Sequence, residues 1–260
     1  MKNKEQYIEE GFKHHAEGNY SKAIDCYEKI LRIDPEDSFA YGNIGGAYLS
    51  LGDYQKAIDF LKKAVALDPG DAKHRSNLGL AYRTLGKFNE ALLCYHSALE
   101  ISPDNEIACY GFGYTCNLIG QSEMGLPFLQ NAVRLNPHNP NYHYQLGVAY
   151  TCLNRNVEAL SSFQKAIEIS PDEAMLYYNI GTIYGSMGQH EDAVIYFQKA
   201  LERNPECSDA FYNLGRAFTL MGNFRKAEDN YRKAKILYKK AGDTQKAEET
   251  EAQLKELAEK

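Results

Sequence analysis

Small and apolar residues return along this chain at a fixed spacing of 34 positions. Three residue types keep this spacing in separate registers, namely alanines, prolines and glycines: Ala23, Ala57, Ala91, Ala159, Ala193 and Ala227; Pro35, Pro69, Pro103, Pro137, Pro171 and Pro205; Gly11, Gly45, Gly79, Gly113, Gly147, Gly181 and Gly215. Gly125 takes the alanine place in the fourth repeat. A period of this length predicts a stacked array, because each repeat can bury its apolar face only against its neighbours.

The repeat at 172–205 shows best how one copy is built. Its first half has apolar and small residues at helical steps, which predicts a helix with one buried face: Tyr177, Ile180, Gly181, Ile183 and Tyr184. Gly188 predicts the end of that helix, since glycine readily takes the left-handed conformation. The second half is again helical: Ala193, Tyr196, Phe197, Ala200 and Leu201. Proline then stops the second helix. Each repeat is therefore expected to be an antiparallel helix pair.

This combination of residues resembles the tetratricopeptide repeat. In the second copy the matching residues are Tyr41, Ile44, Gly45, Tyr48, Gly52, Ala57, Leu61, Ala64 and Pro69, and the pattern continues to Phe211, Leu214, Gly215, Phe218, Gly222, Ala227, Tyr231 and Ala234. The resemblance covers nearly the whole chain. It implies an all-α fold, a right-handed superhelical solenoid of antiparallel helix pairs with about 15 helices. The motif residues pack the fold and do not identify a ligand.

The spacing places seven repeats and one further helix. The repeats are expected at about 4–37, 38–71, 72–105, 106–139, 140–173, 174–207 and 208–241, followed by a C-terminal capping helix at 242–260. Asp243 is expected to cap this helix, whose apolar stripe is Ala247, Thr250, Leu254, Leu257 and Ala258. Glu10 and His14 replace apolar residues in the first helix, so both ends are expected to be finished and the array complete.

The fourth repeat departs from the pattern. Cys109, Cys116 and Gly125 replace larger residues of its neighbours, and Pro127 falls inside the second helix. Proline in a helix interior costs about 3 kcal/mol, but almost nothing in the first turn. We therefore predict that this helix starts late or kinks and makes a soft joint, with a tolerated irregular turn as the alternative.

The resemblance implies that the first helix of each pair lines a concave groove. The groove residues that keep the repeat spacing are a tyrosine ladder and an amide row: Tyr110, Tyr144, Tyr178 and Tyr212; Asn43, Asn77, Gln145, Asn179 and Asn213. Lys73, Tyr114 and Arg216 vary between repeats and are candidates for specificity. Amides can hydrogen-bond the backbone of an extended peptide, and tyrosine offers rigid contact area. The alternative is that the Tyr-Asn pairs serve local packing only.

One known subtype of the family grips chaperone tails with a carboxylate clamp, and this chain departs from it. Asn43 and Lys73 fit the clamp, but Ile8 and Phe12 stand where it has lysine and asparagine, and Asn77 stands where it has arginine. Binding of chaperone tails is therefore not expected.

Charge and composition narrow the function classes. A net charge of −6 argues against nucleic acid, for which a basic patch is the usual footprint. No apolar run is long enough to cross a membrane, and six cysteines without a C-x-x-C pair fit a reducing compartment, so a cytoplasmic location is expected. No phosphate loop, catalytic set or metal motif occurs, and Cys109, Cys116 and His143 are expected to lie too far apart for zinc.

We therefore expect a non-enzymatic scaffold without cofactor or metal, which binds an extended or helical peptide segment of a partner protein in its concave groove. The alternative is a self-assembling structural array, a homo-oligomer formed through the groove or the ends. A weaker alternative is attachment to an anionic surface or nucleic acid through the basic stretch 225–240.

Overall fold

The computed structural model describes residues 3–259, and in that range the fold consists of helices and short connections without strands. The helices in chain order are α1 (Lys4–Ala16), α2 (Tyr20–Ile33), α3 (Ser38–Leu51), α4 (Tyr54–Leu67), α5 (Ala72–Thr84), α6 (Phe88–Ile101), α7 (Glu106–Leu118), α8 (Ser122–Leu135), α9 (Pro140–Cys152), α10 (Asn156–Ile169), α11 (Ala174–Ser186), α12 (His190–Arg203), α13 (Ser208–Leu220), α14 (Phe224–Lys240) and α15 (Thr244–Ala258). The predicted all-α array of paired antiparallel helices is confirmed.

The helices belong to two compact units, which divide between Pro137 and His138. In the first unit α1 packs on α2, α3 on α4, α5 on α6 and α7 on α8, and each pair packs on the next. In the second unit the pairs are α9 with α10, α11 with α12 and α13 with α14, and α15 packs on α14.

The turns inside the pairs follow from single residues with positive φ. Gly188, between α11 and α12, has φ 76°, and Asn154 takes the same role between α9 and α10 with φ 56°. The prediction that the first helix of this repeat ends near Gly188 agrees with the end of α11 at Ser186. The second helices end just before the prolines: α12 ends at Arg203, two residues before Pro205.

In five of the helix pairs a glycine against an aromatic ring sets the distance between the two helices, and at Gly45 and Gly113 a leucine takes the place of the ring. A Cβ on Gly181 would lie 2.8 Å from ring carbons of Phe197, and a Cβ on Gly79 would lie 2.7 Å from Tyr95. Both rings are buried. The repeating glycine therefore marks where a large apolar side chain from the second helix lies on bare backbone of the first, which gives the close packing of protein interiors.

Helix α8 corrects one prediction. It begins at Ser122, in the same register as α6 at Phe88 and α10 at Asn156, so the predicted late start is wrong. Pro127 is the sixth residue, and its missing N–H removes one bond of the ladder while leaving the first turn intact. The first turn keeps its hydrogen bonds, but one of them is long, since the Gly125 amide nitrogen lies 3.3 Å from the Gln121 carbonyl oxygen. The soft joint stays a prediction.

Helix α15 is capped as predicted, since the side chain of Asp243 accepts a hydrogen bond from the Lys246 amide at 3.0 Å. Three residues of its predicted stripe are buried, Ala247, Thr250 and Leu257, and Leu254 is partly buried. Ala258 is exposed, contrary to the prediction, because the helix ends at that residue.

Candidate functional site

A cavity of about 530 Å³ lies on the face formed by α1, α3 and α5. Its lining comes entirely from these three first helices and the N-cap of α5, and we name it the N-terminal groove. It brings together three of the predicted site residues, Asn43, Lys73 and Asn77. Phe12, Phe39, Leu49 and Leu80 give the same groove apolar walls.

In α3 glycine stands at two positions where other repeats have side chains, and one of them leaves space in the groove. Gly42 occupies the position of the tyrosine ladder, and Gly46 occupies the position of six groove residues: Phe12, Leu80, Tyr114, Val148, Thr182 and Arg216. The space at Gly42 is taken by the His74 ring, since a Cβ there would lie 2.0 Å from His74 Cε1. At Gly46 no atom lies within 4 Å of the Cβ position. Sequence reasoning missed both residues, although the break in each register was the available signal.

His74 is held in place by Asp71 at the start of α5. One oxygen of Asp71 accepts the backbone N–H groups of Lys73 and His74 at 2.7 and 3.0 Å, and the other lies 3.5 Å from His74 Nε2. Burial lowers the pKa of His74, although Asp71 opposes this effect. The ring is therefore expected to be neutral at pH 7. The carboxylate of Asp71 already interacts with two backbone N–H groups and the His74 ring, which leaves little of its charge for a ligand.

The polar groups left for a ligand in the groove are few and distinct. Asn43 donates one N–H to the Phe39 carbonyl at 2.8 Å, which fixes the amide on the wall of α3. Lys73 is exposed, and it forms no ion pair with any residue from 3 to 259. Phe12 is 47% exposed and meets Phe39 edge to face at 5.7 Å between ring centroids. The groove thus combines apolar walls with amide groups and one exposed amine.

The predicted tyrosine ladder is half-buried. In the second unit each ladder ring packs at an angle against an aromatic ring of its own helix pair: Tyr144 on Phe163 at 5.8 Å, Tyr178 on Phe197 at 5.8 Å and Tyr212 on Tyr231 at 5.6 Å. In the first unit Tyr110 lies against Tyr114 at 5.7 Å, and the Arg83 guanidinium lies 4.5 Å above Tyr114. These rings therefore contribute to packing and offer only part of their area to a ligand.

The amides of the second unit differ from one another. Gln145 is only 7% exposed, which leaves little of it for a groove ligand. Asn213 donates to the Tyr178 hydroxyl at 3.1 Å, so here the amide row and the tyrosine ladder bind each other. The Nδ2 atom of Asn179 is buried without a hydrogen-bond partner among the described atoms. Arg216 is exposed and lines, with Asn213, a cavity of about 160 Å³ between α11, α12 and α13.

A polar cluster at the start of α13 ties α15 to that helix. Asp209 accepts the Tyr238 hydroxyl at 2.6 Å and Lys246 Nζ at 2.9 Å. Burial would raise the pKa of Asp209, but these two bonds outweigh it and the pKa is lowered. The pKa of Tyr238 is raised, first by burial of the hydroxyl and second by its hydrogen bond to Asp209. The hydrogen bonds of this cluster hold α14 and α15 against α13, so the cluster has a structural role that requires no ligand.

Three of the seven cations in the basic stretch 225–240 form ion pairs at the protein surface. Arg232 pairs with Glu228 at 2.6 Å, Lys240 pairs with Glu206 at 2.5 Å, and Lys235 pairs with Glu251. Paired cations attract phosphate less than free ones do, because the neighbouring carboxylate repels it. These three paired cations therefore contribute less to an anion-binding surface than the residue count suggests.

The cysteines considered for zinc have other surroundings. Cys109 lies 3.2 Å from Asn131 Nδ2, and burial raises the pKa of Cys109 and, to about 11, that of Cys116. Such thiols are protonated at neutral pH and are poor nucleophiles. Among residues 3–259 there is no group of three or more His, Cys, Asp or Glu side chains placed to hold a metal ion. In the same range no helix has the length and apolar character needed to cross a bilayer.

Comparison with models of protein families identifies the family of this chain. Models of the tetratricopeptide repeat match residues 5–37, 38–71 and 72–105, and a further model matches 141–206 and 172–240. The chain belongs to the tetratricopeptide repeat family. Tetratricopeptide repeat proteins mediate protein–protein interactions and are generally non-catalytic scaffolds.

Solved structures of tetratricopeptide repeat proteins resemble this one. YrrB, described as a repeat protein with an unusual peptide-binding site, is 28% identical with a TM-score of 0.64, over 71% of this chain and 95% of YrrB. MamA from Desulfovibrio magneticus RS-1 is 25% identical with a TM-score of 0.61, over 65% of this chain and 96% of the other. A search of curated proteins finds no match.

Proposed function

We propose that this tetratricopeptide repeat protein is a non-enzymatic interaction module that captures an extended or helical segment of a partner protein in the N-terminal groove. The observation that carries the proposal is the cavity of about 530 Å³ walled by three consecutive first helices. The similarity of the chain to YrrB, a protein with a peptide-binding site, supports a peptide as the ligand.

The side chains of the groove suit a peptide better than a small polar metabolite. Apolar walls reward burial of side chains at about 25 cal/mol per Å². The exposed ring of Phe12 is the largest such area in the groove's lining. The amides of Asn43 and Asn77 supply hydrogen bonds that a peptide backbone can use in any sequence. The affinity for the peptide would then come from apolar contact, and the amides would fix the position of the peptide backbone along the groove.

The proposal is tested by selecting ligands from a random 12-residue phage-displayed library on the full chain. The enriched peptides are then synthesised, and their binding is measured by fluorescence polarisation. Phe12→Ala and Asn77→Ala are expected to weaken binding at least fivefold, because each removes a contact of the groove. Arg216→Ala, in the second unit, is the matched control and is expected to leave binding unchanged.

Two results would contradict the proposal: the absence of enriched peptides, or peptides whose binding ignores Phe12 and Asn77. A third measurement addresses the alternative of self-assembly. Light scattering over a dilution series should show one concentration-independent mass. If the chain instead forms an oligomer that Phe12→Ala dissociates, the groove serves a second copy of this protein.

A further inference from the structure

The N-terminal groove contains one hollow that no part of the described chain fills, above Gly46. A Cβ on Gly46 would have open space around it to 4 Å. The adjacent Gly45 is different, because a Cβ there would lie 2.5 Å from Leu61 Cγ. Packing of the pair therefore requires glycine at 45 but not at 46. The missing side chain at Gly46 therefore leaves space in the cavity that packing of the helix pair does not require.

The hollow has apolar residues on either side. Phe12 precedes Gly46 and Leu80 follows it by one repeat, so the three occupy equivalent positions on neighbouring first helices and line one cavity. Leu80 is half-buried, and Phe12 keeps about half of its ring exposed. An apolar side chain placed above Gly46 would therefore contact carbon on both sides and gain from leaving water.

The charge at the edge of the hollow also points to one class of ligand. Four charged or titratable residues line the cavity: His15, Asp71, Lys73 and His74. The carboxylate of Asp71 already accepts two backbone N–H groups and faces His74, whose ring is buried. Lys73 is the exposed cation with no such partner in the described part of the chain. The uncommitted charge of the groove is therefore positive.

We infer that the hollow above Gly46 is a specificity pocket for one large apolar side chain of the bound segment, and that Lys73 selects for a carboxylate near that side chain. The inference rests on the proposed function, because it names the ligand feature that the same groove recognises. The occupant is thus a segment with an aromatic, leucine or methionine anchor accompanied by aspartate or glutamate.

The test fills the hollow from the protein's side. Gly46→Leu occupies it and should weaken binding of the selected 12-residue peptides tenfold or more, the effect expected from losing burial of one such side chain. Gly46→Ala narrows it and should have a smaller effect. Gly185→Leu is the matched control, because a Cβ there also finds room, with Ala193 at 3.9 Å in the second unit. Its binding should equal that of the wild type.

A double-mutant cycle ties the effect to the anchor. When the anchor of a selected peptide is replaced by alanine, Gly46→Leu should cost nothing further, because both changes remove the same contact. Lys73→Glu should weaken acidic peptides about threefold, with the difference lost at high salt, as for an exposed ion pair. Thermal unfolding of each variant checks that the fold is kept.

The outcomes separate the two proposals. If peptides bind and depend on Phe12 and Asn77, but share no large apolar residue or bind Gly46→Leu as well as the wild type, the specificity pocket is wrong and the groove function stands. Fully additive losses in the cycle would likewise overturn the pocket. If no peptide is enriched at all, both the function and the pocket fail.

Discussion

Two adjacent glycines in α3 provide a quantitative test of the packing argument, since the same change is expected to have opposite effects on stability. Replacing glycine by alanine inside a helix stabilises it by about 0.5–1 kcal/mol. At Gly46 nothing opposes this gain, because the new methyl group meets open space. Gly46→Ala should therefore raise the free energy of unfolding by about 1 kcal/mol.

At Gly45 the new methyl group would lie 2.5 Å from Leu61 Cγ and 3.3 Å from the Ala57 carbonyl oxygen. Leu61 is fully buried, so it has no room to withdraw. Overpacking of this kind costs about 1–3 kcal/mol, which exceeds the helix-propensity gain. Gly45→Ala should therefore lower the free energy of unfolding, by up to about 2 kcal/mol.

Urea unfolding followed by far-ultraviolet circular dichroism measures both variants. Amide exchange across α3 and α4 localises the change, which matters because repeat arrays can unfold in parts. The midpoints should move in opposite directions with similar slopes. If the two variants shift stability by the same sign and amount, then the helix contacts around Gly45 are not as described, and the hollow above Gly46 loses its support.

Three other perturbations probe different parts of the molecule. Asp209→Asn should loosen α15 by about 1 kcal/mol, seen as faster amide exchange there, because the charged acceptor of Tyr238 and Lys246 is lost at a site that solvent partly screens. Since the pKa of Asp209 is lowered, the wild type should lose this anchoring only as pH falls below about 4, and the variant should lack that dependence. Burial lowers the pKa of His74, so the unfolded chain binds a proton first, near pH 6.5, and urea stability should fall from pH 7.5 to pH 5 by more in the wild type than in His74→Gln. The missing bond at Pro127 should make the first half of α8 exchange faster than that of α10, and equal protection would exclude the soft joint.

Most of the fold could be predicted from sequence because packing residues repeat. A glycine such as Gly181 and its ring Phe197 recur at the same spacing, so one copy explains the others. Features that depend on irregular pairs could not be predicted. The register shows that position 42 lacks a side chain, but it does not show that the His74 ring fills the space. Pro127 misled the prediction because proline near a helix start removes little, and the starting residue could not be known in advance.

The candidate site was predicted in part, for a related reason. Register identifies which side chains share a face, and Asn43, Lys73 and Asn77 do line one cavity. It does not report how far each is exposed, so the burial of Gln145 was not foreseen. Nor does a list of side chains draw attention to a position that has none, which is how Gly46 was overlooked.

The groove position at Gly46 also shows how one fold can serve different ligands. Residues at this position vary from phenylalanine to glycine to arginine along the chain, whereas the buried alanines and glycines beside them stay nearly constant. Because the Cβ position at 46 touches nothing, substitutions there change the surface offered to a partner at little cost in stability. The neighbouring position 45 lacks this freedom, since Leu61 occupies its space. In the proposed groove, recognition at position 46 and packing at position 45 are assigned to adjacent residues of α3, so a single substitution at 46 should alter the groove's preference without redesigning the array.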